Sequence, residues 1–310
     1  MGALAVAEQN TISVPASVAN LGPGFDTLAV AVQLYLKVRI VEIQHDGLGQ
    51  LVVLRSSPPV PKENGVERGY HFFADRIHGG LPTVVVEIES DIPIGSGLGS
   101  SAAATIAGLR LFEQCSKPLP SSSLLEAACQ LEGHPDNAAA ALHGGLSAAL
   151  EDEQGSISVV NFEWPAHIRF IIATPHRSLQ TVAARQVLPA TLSRADAVFN
   201  LQRIVRLVQA LGAGNDRDLR EALKDRLHQP ARVGLVPELG PALDLEDDDL
   251  LGVCLAGAGP SIVALASQGF DRITKMMEQL YIESNCGVTI RNVAAEPCYV
   301  PALTLASRGR

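Results

Sequence analysis

Alternation of apolar and polar residues predicts several strands along the chain. Residues 34–43 (LYLKVRIVEI) alternate in the manner of a half-buried strand, and residues 51–54 are predicted as its hairpin partner. Residues 83–88 are dense in β-branched side chains and are also predicted as a strand. Further strands are predicted near residues 146–150, 157–160, 168–173 and 287–293. Residues 251–265 have the pattern of two strands joined by a glycine turn.

Other stretches have the composition or spacing of helices. Residues 101–115 are rich in alanine, and residues 124–132 follow serines that can cap a helix. Residues 195–210 (ADAVFNLQRIVRLVQA) are strongly amphipathic. Shorter helices are predicted at residues 70–77, 138–142, 181–185, 218–227 and 271–281. Because strands and helices alternate without a regular βαβα rhythm, the sequence predicts an α+β protein with two domains, residues 1–160 and 161–310.

Composition indicates which classes of binding partner and which cellular location to expect for the protein. The 310 residues include 33 acidic side chains against 24 Lys and Arg, a net charge of −9, which disfavours nucleic acid and anionic membranes as partners. No run approaches the roughly 18 apolar residues of a membrane span. Residues 1–10 lack the basic and apolar regions of a secretion signal. The five cysteines are scattered, as expected for reduced thiols, and we predict a cytoplasmic location.

A glycine-rich segment, residues 95–101 (GSGLGSS), precedes the alanine-rich run. Alternate glycines let main-chain N–H groups approach a ligand, and the start of a helix adds unpaired N–H groups and partial positive charge. These features predict a phosphate site. Ser100 or Ser101 is predicted to cap the helix and to offer a hydroxyl to a phosphate-bound Mg²⁺. A Walker A loop is excluded because no lysine is present, and the GxGxG spacing does not fit the dinucleotide fingerprint.

Four motifs occur in order along the chain, at residues 15–27, 93–103, 132–138 and 255–265. They resemble those of the GHMP kinases, the family of galacto-, homoserine, mevalonate and phosphomevalonate kinases. Residues 93–103 (PIGSGLGSSAA) resemble the phosphate loop of that family. Residues 15–27 (PASVANLGPGFDT) and 132–138 (EGHPDNA) resemble its first and central motifs in their homoserine kinase form. Residues 255–265 (LAGAGPSIVAL) resemble its C-terminal motif. The resemblance implies an N-terminal domain like the second domain of ribosomal protein S5 and a ferredoxin-like C-terminal domain.

The resemblance also implies roles for individual residues at the acceptor site. Asn20 and Asp26 match acceptor-binding residues, and Asp26 suits the ammonium of an amino acid. His134, Asp136 and Asn137 match residues that line the same pocket, with Asp136 and Asn137 the catalytic candidates. Arg185 and Arg232 match arginines that hold the acceptor carboxylate, for which a guanidinium can form two parallel hydrogen bonds. Two readings of Asp136 stay open, a general base and a group that orients the hydroxyl for direct attack. A structural role as a helix N-cap is a third possibility.

At the other end of the site, the resemblance implies binding of ATP and Mg²⁺. The metal is assigned to Ser100 with Glu132, and Glu126 is the competing candidate. The C-terminal motif contributes Gly257, Gly259 and Ser261. Ala256 stands where a serine is usual, and Gln180 where asparagine is common. The implied ATP-binding residues are Pro93, Ile94, Gly95, Ser96, Gly97, Leu98, Gly99, Ser100, Ser101 and Ala102.

The implied activity is ATP-dependent phosphorylation of the L-homoserine hydroxyl to O-phospho-L-homoserine, in threonine biosynthesis. The first alternative is another small-molecule kinase on the same fold, acting on threonine, mevalonate or a related metabolite. The first motif, and the absence of a lysine that mevalonate-type enzymes place early in the chain, argue against mevalonate. The second alternative is a sensor that binds nucleotide or metabolite without turnover. A homodimer is expected by analogy alone.

Overall fold

Two β-sheets organise residues 10–61 and 64–299, which are the residues that this computed structural model describes. Residues 1–9, on which the prediction about a secretion signal mainly depends, lie outside these ranges. The first sheet has the strand order β3-β4-β2-β5-β6, with β1 paired to β2. Its strands are β1 (Thr11–Ala19), β2 (Leu28–Gln44), β3 (Leu51–Ser57), β4 (Thr83–Ser90), β5 (Leu146–Glu151) and β6 (Ile157–Phe162).

Strand β2 is longer than its alternating segment predicts because its first half is buried on both faces. From Gln33 to Ile40 its side chains alternate between exposed or half-exposed and buried. Residues 28–32 are all buried and carry no polar signal. Small side chains let other elements approach this half closely: Ala29 and Ala31 pack with Ala19 and Ala140.

The predicted hairpin between residues 34–43 and 51–54 is wrong. Strand β3 pairs in parallel with β4, and β4 in turn pairs antiparallel with β2. A parallel pair needs a crossover connection, and helix α1 (Gly65–His71) lies in the connection between β3 and β4. The predicted helix over residues 70–77 is accordingly displaced, since α1 begins earlier and only a short 3₁₀ turn, Ala74–Arg76, follows it.

Three further helices cover the first sheet, and their bounds agree with the predicted ones to within a few residues. They are α2 (Ser100–Cys115), α3 (Ser121–Glu132) and α4 (Asp136–His143). Helix α2 contacts α1 and β1, while α4 contacts β1, β2 and β5. A Cβ atom at Gly99, just before α2, would lie 2.9 Å from Oδ1 of Asn137 in the first turn of α4, so the glycine loop and the central motif lie side by side.

The second sheet is antiparallel throughout, in the order β10-β7-β9-β8. Alternate residues of a strand face opposite sides, so Phe170 and Ile172 pack into the core of the first half, whereas Ile171 and Ala173 pack into a second core. Both sides of this sheet are thus covered. Its strands are β7 (Arg169–Pro175), β8 (Leu250–Leu255), β9 (Ile262–Ala266) and β10 (Val288–Val293).

Helices of the second half differ in how well the sequence predicts them. The predicted helix over residues 218–227 shortens to four residues, because the Asp225 carboxylate accepts main-chain hydrogen bonds from Leu227, His228 and Gln229 and so starts the next helix. The helices are α5 (Thr181–Gln186), α6 (Arg194–Ala213), α7 (Leu219–Ala222), α8 (Gln229–Arg232), α9 (Leu239–Leu243) and α10 (Phe270–Glu283). Within the described ranges, none is long and apolar enough to cross a membrane.

Candidate active site

The glycine loop before α2 is fixed by hydrogen bonds to its carbonyl oxygens. The carbonyl of Gly95 accepts from the Leu179 N–H at 3.0 Å, that of Ser96 from Ser261 at 3.1 Å, and that of Leu98 from Ser17 at 3.1 Å. These three donors come from different parts of the chain, two of them in the second half. Because the carbonyl oxygens are bonded to protein, the loop is held in place without use of its own N–H groups.

The start of α2 corrects one expectation. Gly99, with a left-handed φ of 69°, occupies the N-cap position, and no side chain caps the helix. Ser100 and Ser101 lie in the first turn, so neither hydroxyl is spent on the cap that we predicted. A helix start without a side-chain cap leaves N–H groups for another acceptor, and its dipole favours an anion. The phosphate site at this position stays a prediction.

Gly97 lies where the loop meets the C-terminal motif. Its φ is +82°, and a Cβ atom at this position would lie 2.2 Å from the carbonyl oxygen of Ala256. Gly257 approaches from the other side, and its own Cβ would lie 2.9 Å from the Gly97 oxygen. Glycine is needed at both positions because the two main chains touch. Ala256 contributes its main chain here, so the serine usual at that position is not required for this contact.

The loop forms one wall of a cleft of about 630 Å³ between the two halves of the chain. Most of the predicted site residues line it. Gly259 and Ser261 do not, since Ser261 is fully buried and its hydroxyl contacts that of Thr174 at 2.9 Å. Pro93 and Leu98 also do not line the cleft. The predicted residues that line the cleft are Asn20, Asp26, Ile94, Gly95, Ser96, Gly97, Gly99, Ser100, Ser101, Ala102, Glu132, His134, Asp136, Asn137, Arg185, Arg232 and Gly257.

Asn20 and Asp26 hold the first motif in a tight turn. Both have left-handed φ values, 74° and 51°, which Asn and Asp tolerate better than most residues. The Asn20 amide donates to the Gly257 carbonyl at 2.8 Å, and its side-chain oxygen accepts from the Asp26 N–H at 3.0 Å. Asn20 is 3% exposed. It therefore connects the two halves of the chain and fixes the main chain of Asp26.

Asp26 and Arg185, predicted to bind opposite ends of an amino acid, pair with each other. Arg185 Nη1 donates to Oδ2 at 3.0 Å and Nη2 to Oδ1 at 2.8 Å, which is a bidentate geometry. The Arg185 guanidinium lies 5.7 Å from the ring centre of Phe25. Both charged side chains are partly exposed to the cleft, 39% for Arg185 and 34% for Asp26.

Arg232 is held quite differently, since it is only 1% exposed. Its Nε donates to the Ala184 carbonyl at 3.1 Å, and its Nη1 donates to the Gly257 carbonyl and to His228 Nδ1, both at 3.0 Å. None of these bonds uses Nη2. Burial, and secondly the neighbouring Arg185, lower the pKa of Arg232 to about 10, so the side chain remains a cation at neutral pH.

His228 positions Arg232, a role that the sequence did not assign. Arginine only donates and a carbonyl only accepts, so Nδ1 must accept from Arg232 while Nε2 donates to the Gly22 carbonyl at 2.8 Å. The ring is thus neutral, and burial lowers its pKa. The four-residue spacing of His228 and Arg232 is the signal that predicts their contact, because such residues lie on one face of a helical turn.

The central motif places Asp136 and Asn137 in the first turn of α4. Asp136 is 2% exposed, and its Oδ1 accepts from the Asn137 N–H at 2.8 Å. Asn137 Oδ1 accepts from the Ser17 hydroxyl at 2.7 Å. His134 Nδ1 lies 3.3 Å from Asp136 Oδ1, without the geometry of a hydrogen bond. The adjacent carboxylate raises the pKa of His134.

Glu132, at the end of α3, faces the first turns of α2. Its Oε1 accepts from the Ser101 hydroxyl at 3.0 Å and from Thr105 at 2.7 Å, and Arg68 lies 3.7 Å from the same oxygen. Its side chain is 7% exposed and lines the cleft. Glu126, the competing candidate, is exposed on α3 and does not line the cleft. The geometry favours Glu132 as the acidic residue of the site.

Comparison with known proteins identifies the family. The GHMP kinases N terminal domain matches residues 64–145. The chain is 37% identical over 277 residues to the homoserine kinase of Solibacter usitatus, a match that spans 87% of this chain and 89% of that protein. The chain belongs to the homoserine kinases of the GHMP kinase family. The homoserine kinase of Deinococcus radiodurans is 39% identical over 260 residues, 83% of this chain and 84% of its own.

Solved structures of the family confirm the predicted GHMP kinase fold. The crystal structure of homoserine kinase from Cytophaga hutchinsonii has a TM-score of 0.79 at 26% identity and covers 93% of this chain and 95% of its own. The mevalonate kinase of L. major has a TM-score of 0.65 at 16% identity, over 93% and 96% of the two chains, which shows a shared fold. The four motifs of this homoserine kinase family member therefore lie on the expected architecture.

Proposed function

We propose that this kinase transfers the γ-phosphoryl group of ATP to the hydroxyl of L-homoserine, which gives O-phospho-L-homoserine for threonine biosynthesis. One observation carries the proposal: a single cleft joins an uncapped helix start to a cluster of one carboxylate, Asp26, and two guanidiniums, Arg185 and Arg232. The helix start suits a polyphosphate. The cluster offers an anion and cations to a small amino acid whose hydroxyl points toward the loop.

At the phosphate end, the main chain between Gly95 and Ser101 supplies the donors. The loop is fixed through its carbonyl oxygens, so its N–H groups are prearranged and need no reorganisation when charge develops on the transferred group. This arrangement explains how a chain with no lysine next to the loop binds a triphosphate. ATP is the co-substrate expected of a kinase of this family.

The oxygen donors around Glu132 fit a magnesium ion. All the contacts of its carboxylate described above fall on Oε1, so Oε2 remains for a cation, and the Ser100 hydroxyl lines the same cleft. Carboxylate and hydroxyl oxygens are suitable ligands for Mg²⁺ together with phosphate oxygens. We assign the ion to Glu132 and Ser100. When bound, it would neutralise negative charge on the triphosphate.

At the acceptor end, Arg232 and Arg185 hold the carboxylate of homoserine, and Asp26 holds its ammonium. Asp136, which lines the same cleft, orients the hydroxyl. The hydroxyl oxygen then bonds to the γ-phosphorus, the bond to the β,γ-bridging oxygen breaks, the hydroxyl proton passes to an oxygen of the transferred phosphoryl group, and ADP leaves. Because phosphoryl transfer requires mainly alignment and charge compensation, a strong base is not needed, and Asp136 acts by orientation.

An acceptor comparison tests this proposal. The purified protein is incubated with Mg-ATP and, separately, L-homoserine, L-threonine and mevalonate, and ADP formation is measured. We expect kcat/KM for homoserine to exceed that for either alternative by about 100-fold or more. A higher kcat/KM for threonine or mevalonate would contradict the proposed acceptor. If none of the three acceptors supports ADP formation, the proposed activity is contradicted.

Three further assignments belong to this proposal. The chain changes from the first sheet to the second between β6 and β7, which supports two domains that meet slightly after the predicted residue 160. A homodimer stays a prediction; the exposed Val198, Leu201 and Val205 lie on one face of α6, and we assign the contact between the two copies to this face. Val205→Glu should then give a monomer in light scattering, while Ile282→Glu on α10 should not. A cytoplasmic location also stays a prediction.

A further inference from the structure

A second pocket lies at the end of α2 that is remote from the glycine loop. Its volume is about 360 Å³. The 16 residues of α2 separate it from the start of that helix by about 24 Å. No residue that lines this pocket also lines the cleft. The pocket, which we call the α2-end pocket, is therefore separate from the candidate active site.

Basic side chains from three segments of the chain meet in the α2-end pocket. His45 follows β2, and Lys117 follows α2. Arg76 and His78 lie in the segment between α1 and β4. Among the described residues, no acidic side chain lines the pocket. Because the whole chain has a net charge of −9, this pocket is a local exception, and its concentration of positive charge attracts anions.

The two permanent cations of the pocket are not neutralised by the protein. Arg39, on the same sheet, pairs with Glu87 at 2.6 Å. Within the described ranges, by contrast, neither Arg76 nor Lys117 forms an ion pair. The Arg76 guanidinium lies 4.5 Å from the ring centre of Phe73. Contact with an aromatic face leaves the N–H groups at the guanidinium edge for an acceptor, and the lysine ammonium offers three more.

Close contacts between main chains fix the walls of the pocket. Gly80 has a left-handed φ of 80°, and a Cβ atom there would lie 2.3 Å from the Gly47 oxygen. A Cβ atom at Gly47 would in turn lie 2.6 Å from the Gly79 oxygen. Only glycine permits this approach. Asp46 Oδ1 accepts from the Thr83 N–H at 3.1 Å, so the same two segments are also joined by a hydrogen bond.

We propose that the α2-end pocket binds a phosphate group, either free or as part of a small phosphate ester. The inference does not depend on the acceptor of the kinase. The planar guanidinium of Arg76 can form two parallel hydrogen bonds with phosphate oxygens, and Lys117 adds a point charge. A phosphate group with two negative charges compensates both permanent cations, which a single carboxylate does not. The volume also has room for the organic part of an ester.

Calorimetric titration of the occupied enzyme tests this site. The enzyme is first saturated with Mg²⁺, a non-hydrolysable ATP analogue and L-homoserine, so that the probes do not enter the cleft. The probes are inorganic phosphate, 3-phosphoglycerate and glycerate, of which the last lacks the phosphate group. We expect inorganic phosphate and 3-phosphoglycerate to bind once per chain, and glycerate to bind at least about 10-fold more weakly than 3-phosphoglycerate.

Two substitutions assign the binding to the pocket. Arg76→Gln and Lys117→Gln should each weaken the binding of both phosphate probes about 10-fold or more, because each removes a charged hydrogen-bond donor. Lys275→Gln is the matched control, since Lys275 is exposed on α10 and lines neither pocket nor cleft. It should leave binding unchanged. Thermal unfolding checks that all three variants fold, and kcat in phosphate-free buffer should stay as in the wild type.

Each outcome supports or overturns the inference. Tighter binding of 3-phosphoglycerate than of inorganic phosphate would identify an ester as the ligand, and equal binding would identify free phosphate; both support the site. Absence of phosphate binding to the occupied enzyme overturns it, as does equal binding of glycerate. If the variants change only thermal stability, the cations merely complement the end of α2, and the inference fails. A hexaglutamate peptide that binds more tightly than both phosphate probes would assign the pocket to an acidic protein segment instead.

Discussion

The charged side chains at the acceptor end differ in how firmly the protein holds them. Arg232 is buried and bonded to Ala184, Gly257 and His228, whereas the Arg185 guanidinium is partly exposed to the cleft and is bonded to Asp26. The motifs predict that both arginines line the acceptor site, and they do line one cleft. The pairing of Asp26 with Arg185 was not predicted, because it joins residues 159 positions apart and depends on how the two halves of the chain meet.

Asp136 should matter for the rate more than for binding. In Asp136→Asn, the amide oxygen can still accept from the Asn137 N–H, so the start of α4 should be preserved. The substrate hydroxyl loses the anionic hydrogen-bond acceptor that orients it, and we expect kcat to fall about 100-fold, with a much smaller change in ATP KM. Steady-state kinetics with homoserine measure both parameters. An unchanged kcat would remove Asp136 from the mechanism.

Glu132 and Glu126 form a matched pair for the metal assignment. Both are on α3, but only Glu132 faces the loop. Glu132→Gln keeps the shape and an acceptor for Ser101 and Thr105 but removes the charge, so the Mg²⁺ concentration for half-maximal activity should rise about 10-fold or more. Glu126→Gln should leave it unchanged. The assignment to Glu132 fails if the effects of the two variants are reversed.

His228 should make stability depend on pH. Burial holds its folded pKa below the ordinary value of 6.5, even though Asp225 lies 3.6 Å from Nε2 and Asp26 is near; Arg232 opposes protonation. The neutral ring is therefore favoured by folding, and its contribution is present above pH 6.5 and is lost as the pH falls toward the folded pKa.

The matching variant is His228→Asn, which cannot titrate. Above pH 7 it should be less stable than the wild type by about 1–3 kcal/mol, because buried hydrogen bonds are lost. This difference should shrink as the pH falls from 7.5 to 5.5 in thermal unfolding scans. If the stabilities of the two proteins change in parallel with pH, His228 does not titrate in this way. His78→Asn, at an exposed position, serves as the control.

At the scale of elements, the sequence predicts long periodic helices and strands well. It predicts helix ends poorly where a side chain competes for main-chain hydrogen bonds. Helices α2 and α10 agree with their predicted bounds to within a few residues because their composition or period is clear over several turns. The predicted helix over residues 218–227 fails because the Asp225 carboxylate competes for main-chain N–H groups. The prediction that Ser100 or Ser101 caps α2 was wrong because of another local feature. Gly99 occupies the N-cap position in a left-handed conformation, and no side chain caps the helix.

The glycine loop should lose its position if its contact with the C-terminal motif is obstructed. Gly97→Ala combines a left-handed φ with a Cβ 2.2 Å from the Ala256 oxygen, so we expect a loss of about 2–5 kcal/mol in the free energy of unfolding. Displacement of the loop should also lower kcat/KM for ATP on the order of 100-fold. Urea unfolding and kinetics measure the two effects.

Gly234→Ala is the control for this substitution. A Cβ at Gly234 has no atom within 4 Å, and its φ is not left-handed, so stability and kinetics should stay close to those of the wild type. Equal effects of the two substitutions would show that the close approach of Gly97 and Ala256 does not hold the loop.

At the scale of the whole molecule, hydrogen bonds between the two halves assemble the site. The glycine loop is bonded to Leu179 and Ser261, and Asn20 is bonded to Gly257. The α+β class and the GHMP fold follow from the order of elements and from the four motifs. The pairing of β3 with β4 does not, because strand partners depend on packing far along the chain.

The central claim is that main-chain N–H groups between Gly95 and Ser101 bind the triphosphate while the ion-pair cluster binds homoserine in the same cleft. A crystal structure of the enzyme with Mg²⁺, a non-hydrolysable ATP analogue and L-homoserine tests it most directly. The account predicts phosphate oxygens within about 3 Å of those N–H groups and the homoserine hydroxyl facing the γ-phosphate. A triphosphate bound elsewhere, with these N–H groups facing protein or water, would contradict it.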